Sequence, residues 1–358
     1  MNKIRFGILG SGYMGRTHAE AIRHLGDQAT LTAIAGGSRA AGLAQRYGIA
    51  EEPSAEALIR RADVDAVIVA TPHHLHPAAT ILALGEGKHV LVEKPLATSV
   101  EDCDRMIAAA AAAKRVLATG YHQRFRPNNR EACRLLRSGA IGKLQTVLVS
   151  MPSQQPVGMS NFGSDWNWWN DPASVGHMIN SFPHAIDLLR WCTRAEVATV
   201  SAFCRTTLPG ISVEDTTLAL AEFSNGMIAS LYSSRALPTP SFPGEGFRLR
   251  MVGSTGLIDL DAYDELKLSD ANGWHLIAKQ PAVGHESADT AFGEGRMPAY
   301  REQMAAFLAA IRGEVLPEER TRVGSGSDGR IAVAVCRAML ASSAQRRWID
   351  LPREAVAS

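Results

Sequence analysis

Short apolar runs alternate with amphipathic segments of helix length along the first third of the chain. The runs at 4–9, 31–35, 64–70, 89–92 and 116–120 are almost continuously apolar, the pattern of parallel strands buried on both faces. Between them, residues 15–25, 39–47, 77–85 and 100–114 read as helices. Strict alternation of strand and helix predicts βαβ units and a doubly wound parallel sheet over residues 1–122.

The pattern changes after about residue 122. A helix over 128–138 leads into a strand over 143–150, then a polar loop holding Trp166, Trp168 and Trp169, then a helix ending near Trp191. From Val197 the strands lengthen and alternate. Ser224-Asn225-Gly226 joins the runs 216–223 and 227–234, and Asn272-Gly273 marks a second turn, Asn-Gly being a favoured hairpin connection. Residues 123–358 are thus expected to form an α+β domain with an open, largely antiparallel sheet. Helices over about 300–311 and 328–345 are expected to pack back onto the body.

A length of 358 residues exceeds one ordinary core and suits two domains. A formal net charge of +1 argues against nucleic acid or anionic membrane as a partner. Arg60-Arg61 and Arg346-Arg347 are too short to change that. No apolar run approaches the roughly 20 residues needed to cross a bilayer. The five cysteines are odd in number and scattered, with no C-x-x-C. They predict neither a disulfide framework nor a zinc site, and they suit a reducing cytoplasm. Met1 runs straight into the first strand, which leaves no room for a signal peptide, so a cytoplasmic location is expected.

Gly10-Ser11-Gly12-Tyr13-Met14-Gly15 reads G-x-G-x-x-G between a strand and a helix, the context in which this motif binds a dinucleotide. Gly10 permits the tight turn, Gly12 admits the pyrophosphate, and Gly15 allows close helix–strand packing. The helix N-terminus adds N–H groups and a positive dipole end. This marks residues 1–122 as a Rossmann domain. After the second strand comes Ala35-Gly36-Gly37-Ser38-Arg39, with no acid to hold a ribose 2′-hydroxyl. Ser38 and Arg39 suit a 2′-phosphate instead, so NADP(H) is favoured over NAD(H).

With Thr71-Pro72-His73-His74-Leu75-His76 and Glu93-Lys94-Pro95 added, the chain resembles the glucose–fructose oxidoreductase and inositol dehydrogenase family. The resemblance runs through Arg124-Phe125 and the segment around His184 to Ser327-Asp328-Gly329. It implies a cis Lys94–Pro95 bond and places Thr71, Pro72, His73 and His76 along the coenzyme. Lys94 stands at the carboxyl end of a parallel strand, where such sheets bind ligands. There it can polarise a substrate oxygen and lose its proton when desolvated. Glu93 would orient it or touch the coenzyme. His73, His74 and His76 share a turn without acidic or cysteine partners, so no metal is expected.

The family's helix often carries Asp-x-x-x-His, with the histidine moving a proton. Here Asn180 stands in the Asp position and His184 follows four residues later. Asn holds a hydroxyl but cannot ionise. Pro183 implies a helix that starts close to it, and Asp187 lies a turn further on. Lys94 and His184 are the candidate catalytic residues, and Asn180, Trp168 and Gln123 the candidate substrate contacts. The three tryptophans suit a sugar face or a plug between domains equally. The expected function is hydride transfer between nicotinamide and a hydroxyl or carbonyl carbon of a small sugar, polyol or cyclic diol. A redox-assisted glycosidase, a dihydrodiol dehydrogenase and a non-catalytic nucleotide sensor remain alternatives. A homodimer or homotetramer through the C-terminal sheet is expected.

Overall fold

The computed structural model describes residues 3–154, 170–238, 242, 244–281, 292–317 and 320–352. The chain forms two compact units, Met1–Phe125 with Gly284–Ile331, and Arg126–Val283 with Ala332–Ser358.

The first unit is built on strands β1 (Ile4–Leu9), β2 (Ala29–Ala35), β3 (Ala50–Glu52), β4 (Ala66–Val69), β5 (His89–Val92) and β6 (Leu117–Thr119). Helices α1 (Tyr13–Arg23), α2 (Ala40–Tyr47), α3 (Ala55–Ile59), α4 (His76–Gly85) and α5 (Val100–Ala113) alternate with them. The strand order is β6-β5-β4-β1-β2-β3, with every pair parallel. That order reverses between β1 and β4, the crevice where doubly wound sheets take their ligands. The short strand Gly324–Ser325 adds antiparallel to β6.

Two local features were absent from the sequence expectation. Strand β3 is three half-exposed residues, too short to show a period. Helix α3 is five residues long and starts where Ser54 Oγ accepts the Ala57 N–H at 3.1 Å.

The assignment of all of 123–358 to one domain does not match the observed units. The helix Met297–Ile311 contributes Met297, Tyr300, Met304, Phe307 and Leu308 to the same apolar core as Phe6, Ile8, Ile22 and Ile34. Burying a side chain such as Phe307 contributes about 1.5–3 kcal/mol, which ties this late segment to the first unit.

The second unit holds β7 (Leu144–Gln154), β8 (Val197–Arg205), β9 (Thr216–Phe223), β10 (Ile228–Leu237), β11 (Arg248–Gly253), β12 (Leu257–Asp261), β13 (Glu265–Asp270) and β14 (Gly273–Lys279). They are ordered β14-β13-β12-β11-β7-β10-β9-β8, and Ile349–Asp350 closes the β8 edge. Only β7 and β10 run parallel; the other pairs are antiparallel. Asn225-Gly226 turns the β9–β10 hairpin, with Gly226 at φ +82°. At the second turn, Gly273 already belongs to β14 and pairs with Asp270, so Ala271 and Asn272 form the loop.

The unit also holds helix α6 (Pro127–Arg137), helix α7 (His177–Thr193) and, from Ala332, the later part of the helix Gly326–Gln345. Helix α7 does not start near Pro183, as the sequence suggested; that proline lies inside it. Proline removes one N–H to the carbonyl four residues back, but the helix is nucleated ahead of it. The His177 N–H donates to the Glu214 carbonyl at 2.9 Å, and the Met178 N–H donates to the Glu214 carboxylate. The expectation of unpaired cysteines is also corrected. Cys133 of α6 and Cys192 of α7 form a disulfide with Cα atoms 4.8 Å apart. They are 59 residues apart in sequence, so only helix packing reveals them as partners.

Candidate active site

Two of the three fingerprint glycines have a steric reason within the fold. A Cβ on Gly10, which sits at φ +103°, would lie 2.3 Å from the Ala70 carbonyl oxygen. One on Gly15 would lie 2.0 Å from the Gly10 oxygen, so α1 approaches the turn as closely as backbone allows. One on Gly12 would meet nothing within 4 Å. That opening lies at the N-terminus of α1, which Gly12 caps without a side chain and whose first turn carries no acid. The site therefore offers backbone N–H groups and a positive dipole end to an anion. The residues present fit a dinucleotide pyrophosphate.

The loop after β2 is tied to this turn. Gly36 and Gly37 take positive φ, +79° and +82°, and a Cβ on Gly37 would lie 2.5 Å from Ser11 Oγ. Ser11 Oγ accepts the Arg39 N–H at 3.1 Å. Ser38 and Arg39 are exposed at this strand end, and no carboxylate occupies positions 35–39.

Beyond β4, Thr71 and Pro72 lead into a short turn with His73, and His73 and His76 are buried. The His76 ring spans two carbonyls, with Nε2 2.9 Å from the Thr71 oxygen and Nδ1 2.9 Å from the Pro95 oxygen. It thereby ties the ends of β4 and β5 together. Burial pushes its pKa down, against the raising pull of the two carbonyls and of Glu93. Among the described residues, no group of three or more His, Cys, Asp or Glu comes together as a metal site.

At the end of β5, the Glu93 N–H donates to the Val69 oxygen at 2.9 Å, and the Lys94–Pro95 bond is cis. Glu93 is buried. Burial opposes its ionisation, but the hydrogen bond from His18 and the charges around it hold its pKa below the usual carboxylate range. Lys94 is partly buried. Desolvation lowers its pKa to about 8, against the opposing pull of Glu93. A lysine in that range exchanges its proton near neutrality. Gln123 is buried, with its amide 3.3 Å from His122 Nε2. Tyr300 Oη is 3.2 Å from that nitrogen and receives an N–H from Arg296 at 3.1 Å. Arg124 pairs with Asp328 at 3.1 Å.

In the second unit, Asn180 and His184 lie one turn apart on α7 and share a face. His184 is nearly buried and Asp187 fully so. Ser181 Oγ lies 2.7 Å from Ser233 Oγ of β10, pinning this face to the sheet. Trp168 and its two neighbouring tryptophans lie outside the described residues. Sequence reasoning missed Glu214, His18 and Arg235. Glu214 is partly buried, and desolvation lifts its pKa to about 7. Arg235 is buried in β10, and desolvation pulls its pKa down to about 10. None of the three belongs to a local motif. Glu214 and His18 find their partners 36 and 75 residues away.

The sheet order and the glycine turn define a Rossmann-type dinucleotide-binding unit, joined in one chain to a second unit with a largely antiparallel sheet. Residues 4–121 match the oxidoreductase family with an NAD-binding Rossmann fold, and residues 129–259 match the GFO/IDH/MocA C-terminal domain. The chain belongs to this Gfo/Idh/MocA oxidoreductase family. It is 28% identical to 1,5-anhydro-D-fructose reductase of Ensifer adhaerens over 95% of this chain and 96% of that one. It is 30% identical to inositol 2-dehydrogenase 1 of Saccharopolyspora erythraea over 94% of this chain and 93% of that one. Among solved structures, a levoglucosan dehydrogenase in complex with NADH and levoglucosan superposes with a TM-score of 0.81. It is 23% identical, and the match covers 98% of this chain and 100% of that one.

Proposed function

We propose that this oxidoreductase transfers a hydride between NADP(H) and a hydroxyl or carbonyl carbon of a small sugar, polyol or cyclic diol. The observation that carries the reading is Lys94, placed at the carboxyl end of β5 with its pKa lowered to about 8. The relatives named above act on a sugar derivative and on inositol, which supports an uncharged, polyhydroxylated substrate. The coenzyme, when bound, supplies the hydride chemistry. Lys94 takes or returns the hydroxyl proton, and His184 is the second proton-handling candidate. Asn180 holds a substrate hydroxyl without ionising, and Gln123 and Trp168 are further substrate contacts. Gly10, Ser11, Gly12, Tyr13, Met14 and Gly15 hold the pyrophosphate. Ser38 and Arg39 receive the 2′-phosphate, and Thr71, Pro72, His73, His76 and Glu93 border the coenzyme.

The test is a screen of sugars, polyols and cyclic diols, followed by reduced-nicotinamide absorbance with NADP and with NAD. Lys94→Ala should bind coenzyme as the parent does while turning over about a hundredfold more slowly. No substrate-dependent absorbance with either coenzyme, or full turnover in Lys94→Ala, would overturn the reading.

A further inference from the structure

His18 and Glu93 form a buried pair next to Lys94. His18 Nε2 lies 2.7 Å from Glu93 Oε1, with the His18 side chain wholly buried and that of Glu93 7 % exposed. The other carboxylate oxygen accepts the Lys94 backbone N–H at 3.2 Å. Gly120 closes the third side. A Cβ there would lie 3.1 Å from Glu93 Oε1 and 3.2 Å from its Cδ. Gly120 is not among the glycines at positive φ, so space for the carboxylate, not backbone freedom, accounts for it. His18 Nδ1 is buried without a hydrogen-bond partner among the described residues. A buried polar atom left unmatched costs stability, and an apolar side chain at 18 would pack without that cost. The bond to Glu93 accounts for the histidine.

We propose that His18 is a positioning residue for Lys94, acting through Glu93. It fixes the carboxylate against the Lys94 backbone, so that the ammonium keeps a defined anionic neighbour. The catalytic meaning of this arrangement rests on the reading of Lys94 as the proton-transfer residue; the arrangement itself does not.

The electrostatics agree with the geometry. Burial lowers the Lys94 pKa and Glu93 opposes the fall. Burial favours the protonated form of Glu93, and the His18 hydrogen bond is the largest influence against it. The charges of His18, of Lys94 itself and of His76 of α4 act on Glu93 in the same direction, while burial pushes the His76 pKa down. His18 meets the Tyr300 ring edge-on at 6.1 Å, and the Tyr300 hydroxyl is held by Arg296 and His122. Without His18 the buried carboxylate loses its side-chain donor, and desolvation favours its protonated form. Lys94 then loses its anion and gives up its proton at lower pH.

Competitive acetylation tests this without any substrate. The full-length protein is labelled with trace acetic anhydride across a pH series, and mass spectrometry follows the Lys94 peptide. In the parent the midpoint should fall at about 8. His18→Leu and Glu93→Gln should each lower it by about one pH unit. His18→Gln keeps an N–H donor and should return it close to the parent value. In the double variant His18→Leu/Glu93→Gln the midpoint should equal that of Glu93→Gln alone. Where His18→Leu does not fold, His18→Phe fills the same ring space without a donor. An unchanged or raised midpoint in a folded donor-less variant overturns the proposal. So does a His18 effect that persists in the Glu93→Gln background. Failure here is separate from failure of the substrate screen, since labelling requires neither coenzyme nor turnover.

Discussion

On the proposed reading, the choice of NADP over NAD rests on one side chain, Arg39. Its backbone N–H is bonded to Ser11 Oγ, and two positive-φ glycines precede it. The backbone of Arg39 is thus tied to the glycine turn at the end of β2, with no acid in residues 35–39 to repel a 2′-phosphate. A charged hydrogen bond of this kind is worth about 1.5–3 kcal/mol, roughly ten- to hundredfold in affinity. Titration of the parent should show NADP binding more tightly than NAD, and Arg39→Ala should erase most of the difference. Equal affinities in the parent would remove this preference. A second residue-scale expectation concerns His184. With Asn180 one turn away, no carboxylate at 180 stabilises its imidazolium. His184→Ala should flatten the limb of the pH–rate profile that histidine controls. Asn180→Asp should move that limb to higher pH, because a negative charge favours the protonated ring. A limb that survives His184→Ala would reassign the proton to another group, Lys94 first.

At the scale of elements, helix α7 shows how distant residues decide what a local pattern cannot. Pro183 reads as a helix start, yet Glu214 caps the chain at His177 and Met178, six and five residues earlier in the helix. Burial raises the Glu214 pKa from its ordinary 4.5 to about 7. A raised acid pKa in the folded state means that folding favours the protonated form. The associated stability is fully present below about 4.5 and is lost as pH rises through about 7. The shift corresponds to about 3 kcal/mol. Thermal unfolding should therefore show the parent losing stability between about pH 4.5 and 7, and Glu214→Gln should flatten that slope. A parent and variant with parallel pH profiles would exclude Glu214 as the titrating group. The same contrast explains what the sequence made legible. Strands β1, β2, β4, β5 and β6 announce themselves as continuous apolar runs, and the Glu93-Lys94-Pro95 strand end stands out locally. The His18–Glu93 pair, the Glu214 cap and the Cys133–Cys192 disulfide join residues 36 to 75 apart. Neither periodicity nor spacing encodes such pairings.

At the scale of the whole molecule, the apolar core of the first unit recruits the helix Met297–Ile311 from far along the chain. Helical periodicity at 300–311 marks a helix without saying which core receives it, so that recruitment was not legible. The open face of the nine-stranded sheet was foreshadowed more fully, through the alternation of β9. In β9, buried and exposed positions alternate strictly from Thr217 to Phe223, and the outward positions are not uniformly polar. Leu218 is 57 % exposed, Leu220 52 %, Phe203 of β8 62 % and Ile228 of β10 54 %. The pairing register sets Leu218 beside Phe203 on one side and Tyr232 on the other, and Leu220 beside Ser230, whose other neighbour is the half-exposed Leu148. These side chains therefore form one contiguous patch on one face. Contiguous apolar patches of this kind mark association surfaces, and a self-complementary patch closes as a two-fold dimer without further partners. We propose that a second copy of the chain covers this face, giving a homodimer or, by a further contact, a homotetramer. Light scattering coupled to size exclusion should give a multiple of the 38.4 kDa chain. Replacing Leu218 and Leu220 together with lysine puts two like charges at the centre of the contact in each copy. That pair of substitutions should shift the protein to a smaller species while leaving its circular dichroism unchanged, since both side chains point away from the core. A parent that elutes as a monomer at micromolar concentration would show that this face stays in solvent.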